Sequence, residues 1–370
     1  MTSIDKPLGE LTKIKTGKLD ANASSEDGQY PFFTCARTPL RIDTYTYDCE
    51  CVLVAGNGDL NVKYYMGKFD AYQRTYIVES TDKAVLDTRY LYRFLDRYLI
   101  RLREQSIGGV IKYIKLGNLT DAIIPLPPLP EQKRIATILD QADFLREKRR
   151  AAIAKLDELL QSVFLDMFGD PVTNPKGWPI GRIGDLLEDV LYGTSGRAST
   201  EGAWPILRMN NITYTGEWNF TDLKYIDLSE KEEAKYLVHN GDILFNRTNS
   251  KELVGKTAVY RAKDPMAFAG YLIRCRTNKN AVPDYISSYL NSQHGKLTLT
   301  GMCKSIIGMA NINAKELQSI KILIPPIELQ REYEQIVGAI LVFKQSLEPS
   351  TRKFEALFSS LQQRAFRGEL

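Results

Sequence analysis

An α+β fold, laid out as two tandem mixed α/β domains each followed by a long α-helix, is what the sequence predicts, and three observations carry it. A motif in the middle of the chain returns near its end; a proline pair precedes a long helical run at both places; and short strand-like runs broken by Gly, Asn and Asp fill the space before each pair. At 370 residues the chain exceeds what one core ordinarily serves, so two domains are expected on length alone.

The repeat dictates the architecture. "NLTDAIIPLPPLPEQKRI" (118–135) returns as "ELQSIKILIPPIELQREY" (316–333), aligning Leu119 with Leu317, Ile124 with Ile322, Pro127 and Pro128 with Pro325 and Pro326, and Gln132 with Gln330, an offset of 198 residues. Upstream, "SIGGVIKYI" (106–114) echoes "SIIGMANI" (305–312), and "GQYPF" (28–32) parallels "GAWPI" (202–206). The expected units are a domain over 1–129, a helix over 130–170, a second domain over 171–327 and a second helix over 328–370.

Within each domain, runs such as "CVLVAG", "RTYIVES", "DILFNRT" and "KTAVYRA" read as strands, and "AGNGDLN" and "TNSKELVGK" as turns. Each domain also carries one amphipathic helix, "YLYRFLDRYLIRLR" and "PDYISSYLNSQ".

After Pro130, apolar residues fall at Ile135, Ile138, Ala142, Leu145, Ala152, Leu156, Leu159 and Val163, a 3-4 spacing interrupted by Arg149. Shifted by 198, the same register gives Tyr333, Ile336, Ile340, Phe343, Leu347, Phe354, Leu357 and Leu361. A single stripe could equally lie on its own domain. Two heptad stripes in one phase predict that the helices bury each other as an antiparallel coiled coil. Pro349 interrupts the second stripe, where a bend or a break is expected at a cost of about 3 kcal/mol. A helix over 131–168 would span roughly 57 Å, long enough to hold two domains over successive major grooves about 34 Å apart.

Composition is that of a folded globular protein. Forty-nine Lys and Arg against forty-five Asp and Glu leave a mild excess of +4, which permits a nucleic-acid partner without demanding one. Five cysteines without paired spacing fit a reducing compartment, and no long apolar segment is present, so a cytoplasmic protein free of the membrane is expected. Cys49 and Cys51 point to one face of a strand and suit core packing better than metal.

Catalytic chemistry has little to draw on. There is no methyltransferase tetrapeptide, no Gly-x-Gly fingerprint, no phosphate loop, and only His239 and His294 for a triad or metal site. Asp121 with "EQK" (131–133), and "EAK" (233–235), imitate a nuclease set, but Glu131 in a first helical turn simply complements the helix N-terminus.

The tandem plan, the junction "IPLPPLPEQKRIATILD", the helix end "MFGDPVTNPKGWP" (167–179) and the terminus "LQQRAFRGEL" (361–370) together resemble the DNA-specificity subunit of type I restriction-modification systems, over essentially the whole chain. The resemblance implies a non-catalytic reader for phage defence. Two target-recognition domains would each bind half of a bipartite, asymmetric DNA sequence, and the paired helices would set the spacer. The helices would also dock methyltransferase subunits, two of them, which carry S-adenosylmethionine and methylate adenine; restriction subunits with an ATP-dependent motor would complete the complex. No cofactor or metal is expected on this chain. The competing reading is a coiled-coil adaptor whose flanking domains bind proteins.

Base edges demand directed donors and acceptors, and phosphates demand charge or hydroxyls. In the first domain the candidate DNA-binding residues are therefore Lys18, Arg37, Arg41, Asn57, Asn61, Lys63, Lys68, Tyr72, Arg74 and Lys112. In the second they are Tyr192, Thr194, Ser195, Arg197, Arg208, Asn210, Asn211, Arg247, Thr248, Asn249, Lys251, Lys256 and Asn311.

Overall fold

The computed structural model describes residues 4–303 and 310–370. Residues 305–309 of the second serine-glycine stretch lie outside the described residues. The chain divides into two compact units, one of Met1–Arg150 with Pro349–Leu370, the other of Ala151–Glu348. Both are mixed α/β, and two long helices, Leu129–Phe168 and Ile327–Ala365, follow the two domains in the expected order.

In the first unit a six-stranded sheet runs in the order Thr12–Thr16, Thr75–Ser80, Tyr47–Ala55, Val62–Ala71, Tyr30–Phe33, Leu40–Ile42. Alternation along Tyr47–Ala55 sends Val52 and Val54 to one face and Cys51 and Leu53 to the other, and all four are buried. The first face packs on the helix Thr88–Gln105 through Tyr90, Leu91, Phe94 and Leu95. That helix starts at Asp87, whose carboxylate accepts the Tyr90 amide at 3.0 Å. The same core takes Ile135 and Leu139 from the first long helix, Phe358 and Ala365 from the end of the second, and Phe366 just after it.

In the second unit one four-stranded sheet has the order Leu187–Tyr192, Leu272–Thr277, Ile243–Asn246, Thr257–Val259. Another has Lys224–Ile226, Trp204–Leu207, Met266–Phe268, Leu237–Val238. Its main core joins Tyr285, from the helix Pro283–Asn291, to Phe164 and Phe168 and to Tyr333 and Val337 of the long helices. The Phe168 ring stands 4.7 Å from Tyr285 and 5.2 Å from Tyr333, near-perpendicular to both.

The first long helix stops for local reasons. Gly169 takes φ +82°, which favours glycine, and its amide caps the Leu165 carbonyl. Lys176 donates to the Asp166 and Met167 carbonyls, and the Trp178 indole donates to that of Phe168. The motif "MFGDPVTNPKGWP" is thus a C-terminal cap in which ammonium and indole satisfy the orphan carbonyls.

The stripe on the long helices differs from the expected one. Ile135 and Ile340 are buried and Ala142, Leu156, Phe354 and Leu361 partly so, but Leu145, Leu159, Phe343 and Leu357 are 51, 45, 54 and 50 % exposed. Ile138 is half-buried and Ile336 exposed. Burial follows each first position by four residues instead of three, so Leu139, Arg146, Leu160, Val337, Lys344 and Phe358 take the inner places. Positions three and four along a 3.6-residue turn flank the same face. The inner flank carries Arg146 and Lys344, whose charge hid it from an apolar count.

The second long helix also continues through Pro349 without a break. The missing amide and the ring's clash cost about 3 kcal/mol, offset by packing on either side, of Tyr333, Val337 and Ile340 before it and of Phe358 and Ala365 after it. Among the described residues no helix is long and apolar enough to cross a membrane.

Candidate nucleic-acid interface

In the first unit, backbone hydrogen bonds gather four segments at one edge of the sheet, the end where Thr12–Thr16, Tyr47–Ala55 and Val62–Ala71 run out and Thr75–Ser80 begins. Leu19 bridges Tyr72 in parallel, the Gly56 amide donates to the Arg74 carbonyl, the Gly58 amide to that of Lys112, and the Ile114 amide to that of Gly56. Lys18, Asn57, Tyr72, Arg74 and Lys112 are thereby brought together. The approach is close: a Cβ on Gly17 would stand 2.0 Å from the Ala71 carbonyl oxygen, so only glycine fits.

Beside this edge, Asn61 is buried and donates at 2.8 Å to both the Cys35 and Asp59 carbonyls while its own oxygen accepts from Lys63. Asn61 therefore builds the loop and does not face solvent. Burial, with the Arg37 charge adding to it, lowers the Lys63 ammonium to about 8. Arg37 is exposed and pairs with Asp59 at 2.9 Å.

Lys68 and Arg41 are engaged otherwise. In the hairpin Lys68, four residues before Tyr72 in the chain, pairs with Asp48. Its ammonium lies 4.5 Å over the Tyr45 ring, and Arg41 is turned onto the Gly28 carbonyl.

The second unit builds the same edge from other side chains. Thr194 bridges Ala269 in parallel, the Arg247 amide donates to the Tyr271 carbonyl, the Ile312 amide donates to that of Arg247, and Thr248 pairs with Asn311. Gly193 repeats the close approach, its Cβ position 2.3 Å from the Ala269 carbonyl oxygen. The Arg247 guanidinium lies 4.9 Å over the Tyr192 ring, with Nη2 3.3 Å from the Asn311 Oδ1 and Nη1 3.4 Å from the Gly270 carbonyl. The Tyr192 hydroxyl accepts the Ala314 amide.

Several expected readers are spent on their own chain. Lys256 is buried, lowered by that burial, and donates to the Met209 and Ile212 carbonyls at 2.8 and 2.5 Å. Asn211 is buried and donates to the Asn219 and Asp222 carbonyls. Thr194 and Thr248 are buried too, and Arg208 pairs with Asp222 at 2.9 Å. These residues shape loops. Ser195, Arg197, Asn210 and Lys251 are exposed and Asn249 half-buried around them.

Lys296 escaped sequence reasoning, because one lysine on a polar helical stretch gives no signal. It is half-buried over Tyr214, 4.9 Å from the ring, and donates to Asn291 at 3.0 Å. Burial, then the neighbouring Lys256 charge, brings it down to about 8.

Each edge presents mixed cations, amides and hydroxyls on loops held by a rigid sheet. This suits phosphates and base edges, and among the described residues it offers no nucleophile–base pair for covalent chemistry. A family model described as the type I restriction modification DNA specificity domain matches residues 4–155 and 175–343. The chain belongs to this family. The specificity chain is 28% identical over 408 aligned residues to the type I restriction enzyme EcoDI specificity subunit of Escherichia coli, covering 98% of this chain and 87% of that one. It is 26% identical to the EcoKI specificity subunit of Escherichia coli strain K12, covering 74% of this chain and 63% of that one. Among solved structures, the type I restriction-modification S subunit from M. genitalium matches with a TM-score of 0.62 at 16% identity, over 99% of this chain and 96% of that one. A chain from a study of complex assembly and conformational transition of the type I R-M system matches with a TM-score of 0.50 at 18% identity. These structural likenesses establish the fold of the specificity chain.

Proposed function

We propose that this chain is the DNA-reading subunit of a type I restriction-modification complex. Each domain reads one half of a bipartite, asymmetric target through the edge described above. The two long helices pair as an antiparallel coiled coil that sets the unread spacer. In each unit the helices already exchange ion pairs: Glu355 with Arg146 and Arg150 in the first, Lys344 with Asp157 in the second. The outward Leu145, Leu159, Phe343 and Leu357 fit a docking face for methyltransferase subunits, two per chain, which bring S-adenosylmethionine. Restriction subunits with an ATP-dependent motor join for cleavage. The chain works in the cytoplasm, binds no cofactor or metal, and catalyses nothing itself.

The observation that carries this reading is the repetition of one four-segment edge, pinned by equivalent backbone bonds, in two units of a chain of this family. Mapping methylated adenines in the host genome tests it. Two short half-sites separated by a fixed gap are expected, and purified chain should bind duplexes carrying them with an affinity that falls steeply with salt. Salt-insensitive binding, or methylation at one uninterrupted site, would sink it and leave the protein-binding adaptor. Seven residues added to the first long helix lengthen it by about 10.5 Å, and the spacer should grow by about three base pairs.

A further inference from the structure

Two glutamines 198 residues apart, Gln132 and Gln330, sit at the starts of the long helices with no surface exposed. In the first unit the Gln132 amide nitrogen donates to the Val85 and Pro127 carbonyls at 2.8 and 2.9 Å, and its oxygen accepts the Asp87 amide at 2.9 Å. In the second the Gln330 nitrogen donates to the Asn280 and Pro325 carbonyls at 3.2 and 2.9 Å, and its oxygen accepts the Val282 amide at 3.2 Å. The three partners correspond. One carbonyl belongs to the loop before the domain helix, one to the proline hinge, and the amide is that of the residue capping the domain helix. A tyrosine crosses the same hinge in each unit, Tyr90 to the Pro125 carbonyl and Tyr285 to that of Leu323, both at 2.8 Å.

A buried amide is tolerated only when its donors and acceptor are all satisfied, and an apolar side chain would fill the space at lower risk. What the amide adds is direction, since three hydrogen bonds to three segments are satisfied together at one angle of long helix against domain. Resting on the reading of the chain as a spacer-setting DNA subunit, we infer that Gln132 and Gln330 are positioning residues that fix this angle and with it the sharpness of spacer selection. A tilt of about 10° about the hinge moves a point about 20 Å away by about 3.5 Å, one base-pair step. Loss of the latch therefore blurs spacing without touching base choice.

The full chain with Gln132→Met, Gln330→Met or both is measured for binding to duplexes whose spacers run from two base pairs short to two long. Each single variant should lower the preference for the correct spacer severalfold, the double more, with base preferences in both half-sites unchanged. Gln132→Glu keeps the acceptor for Asp87, removes both donors and should show the same blurring if the methionine variant does not fold. Leu53→Ala, a buried change on the sheet face whose cluster holds no hinge or long-helix residue, controls for lost stability and should leave spacing sharp. Sharp spacing in the glutamine variants, or equal blurring in Leu53→Ala, overturns the latch. A wild-type chain that binds no duplex sinks the DNA reading itself.

Discussion

Gln132 and Gln330 make the same three hydrogen bonds in their two units, whereas Gly56 and Arg247 occupy one backbone position on the proposed reading edges and share nothing else. The Gly56 amide donates to the Arg74 carbonyl and its carbonyl accepts Ile114; Arg247 does the same with Tyr271 and Ile312. At the hinge the side chain itself supplies the geometry, so its chemistry is fixed. At the edge the backbone supplies the geometry, and the side chain is free to differ in what it can read.

The ties between domain and long helix differ in another way. In the first unit the cation is on the domain: Arg93, almost enclosed, holds Asp140 and Asp143 of the first long helix, each at 2.7 Å. In the second it is on the helix, where Lys344 holds Asp157 and the domain's Glu217. Burial alone would lower the Lys344 ammonium; its hydrogen bonds to Asp157 and Glu217 outweigh that and raise it. Polarity is reversed while the mechanical result is the same.

The largest effects should come from the aromatic anchors. Phe168→Ala, at the centre of the second unit's cluster, should cost about 3–5 kcal/mol in denaturant unfolding. Phe366→Ala, less deeply buried against Tyr90 and Phe94, should cost less, about 2–3 kcal/mol. Hydrogen exchange sharpens the comparison, since Phe366→Ala must loosen amides of residues 1–150. Protection lost only around residues 151–348 would break the assignment of the C-terminal segment to the first unit.

Next come the ionic ties. Arg93→Met takes the enclosed cation from Asp140 and Asp143, which keep Arg89 and Arg146 as partners, and should cost about 2–3 kcal/mol; Lys344→Met takes the cation from Asp157 and Glu217, which are partly in water, and should cost about 1–2 kcal/mol. Equal losses in unfolding would show that solvent screening does not separate the units.

These ties also explain what the sequence concealed. Strands, both domain helices, the repeat and the first positions of the helical stripe were legible, because apolar period and proline punctuation report them directly. The alternate stripe positions were not. Isoleucine, phenylalanine and leucine at 336, 343 and 357 outweighed valine, lysine and phenylalanine at 337, 344 and 358, and nothing local says that Lys344 is enclosed until Asp157 and Glu217 meet it. The interface suffered from the same blindness. Asn61, Asn211 and Lys256 have the right chemistry for DNA, but their partners are carbonyls 2 to 47 residues away in the chain.

On the reading edge, Arg247→Ala should cost about 1–3 kcal/mol of binding and relax one base position in the second half-site alone. The first half-site, with Gly56 at the equivalent place, should be unmoved. A panel of single-base changes in both half-sites decides this: equal weakening across every sequence would place Arg247 on phosphate, and no weakening would remove it from the interface.

The smallest effect concerns Lys63 and Lys296, both brought down to about 8 from an ordinary 10.5. Between those values the unfolded chain still holds a proton that the folded one has released, so each lysine makes stability rise with pH across that window. Binding runs the other way. A phosphate favours the ammonium, so if Lys63 touches DNA the first half-site should weaken as pH rises through about 8, by no more than about tenfold per unit. Lys63→Met should flatten that profile and leave the second half-site's intact, and Lys296→Met should do the converse. Titrations of each half-site at fixed salt from pH 7 to 9 separate the outcomes. A wild-type first half-site that stays flat means that Lys63, like the Asn61 it bonds, belongs to the architecture of the loop and not to its contact with DNA.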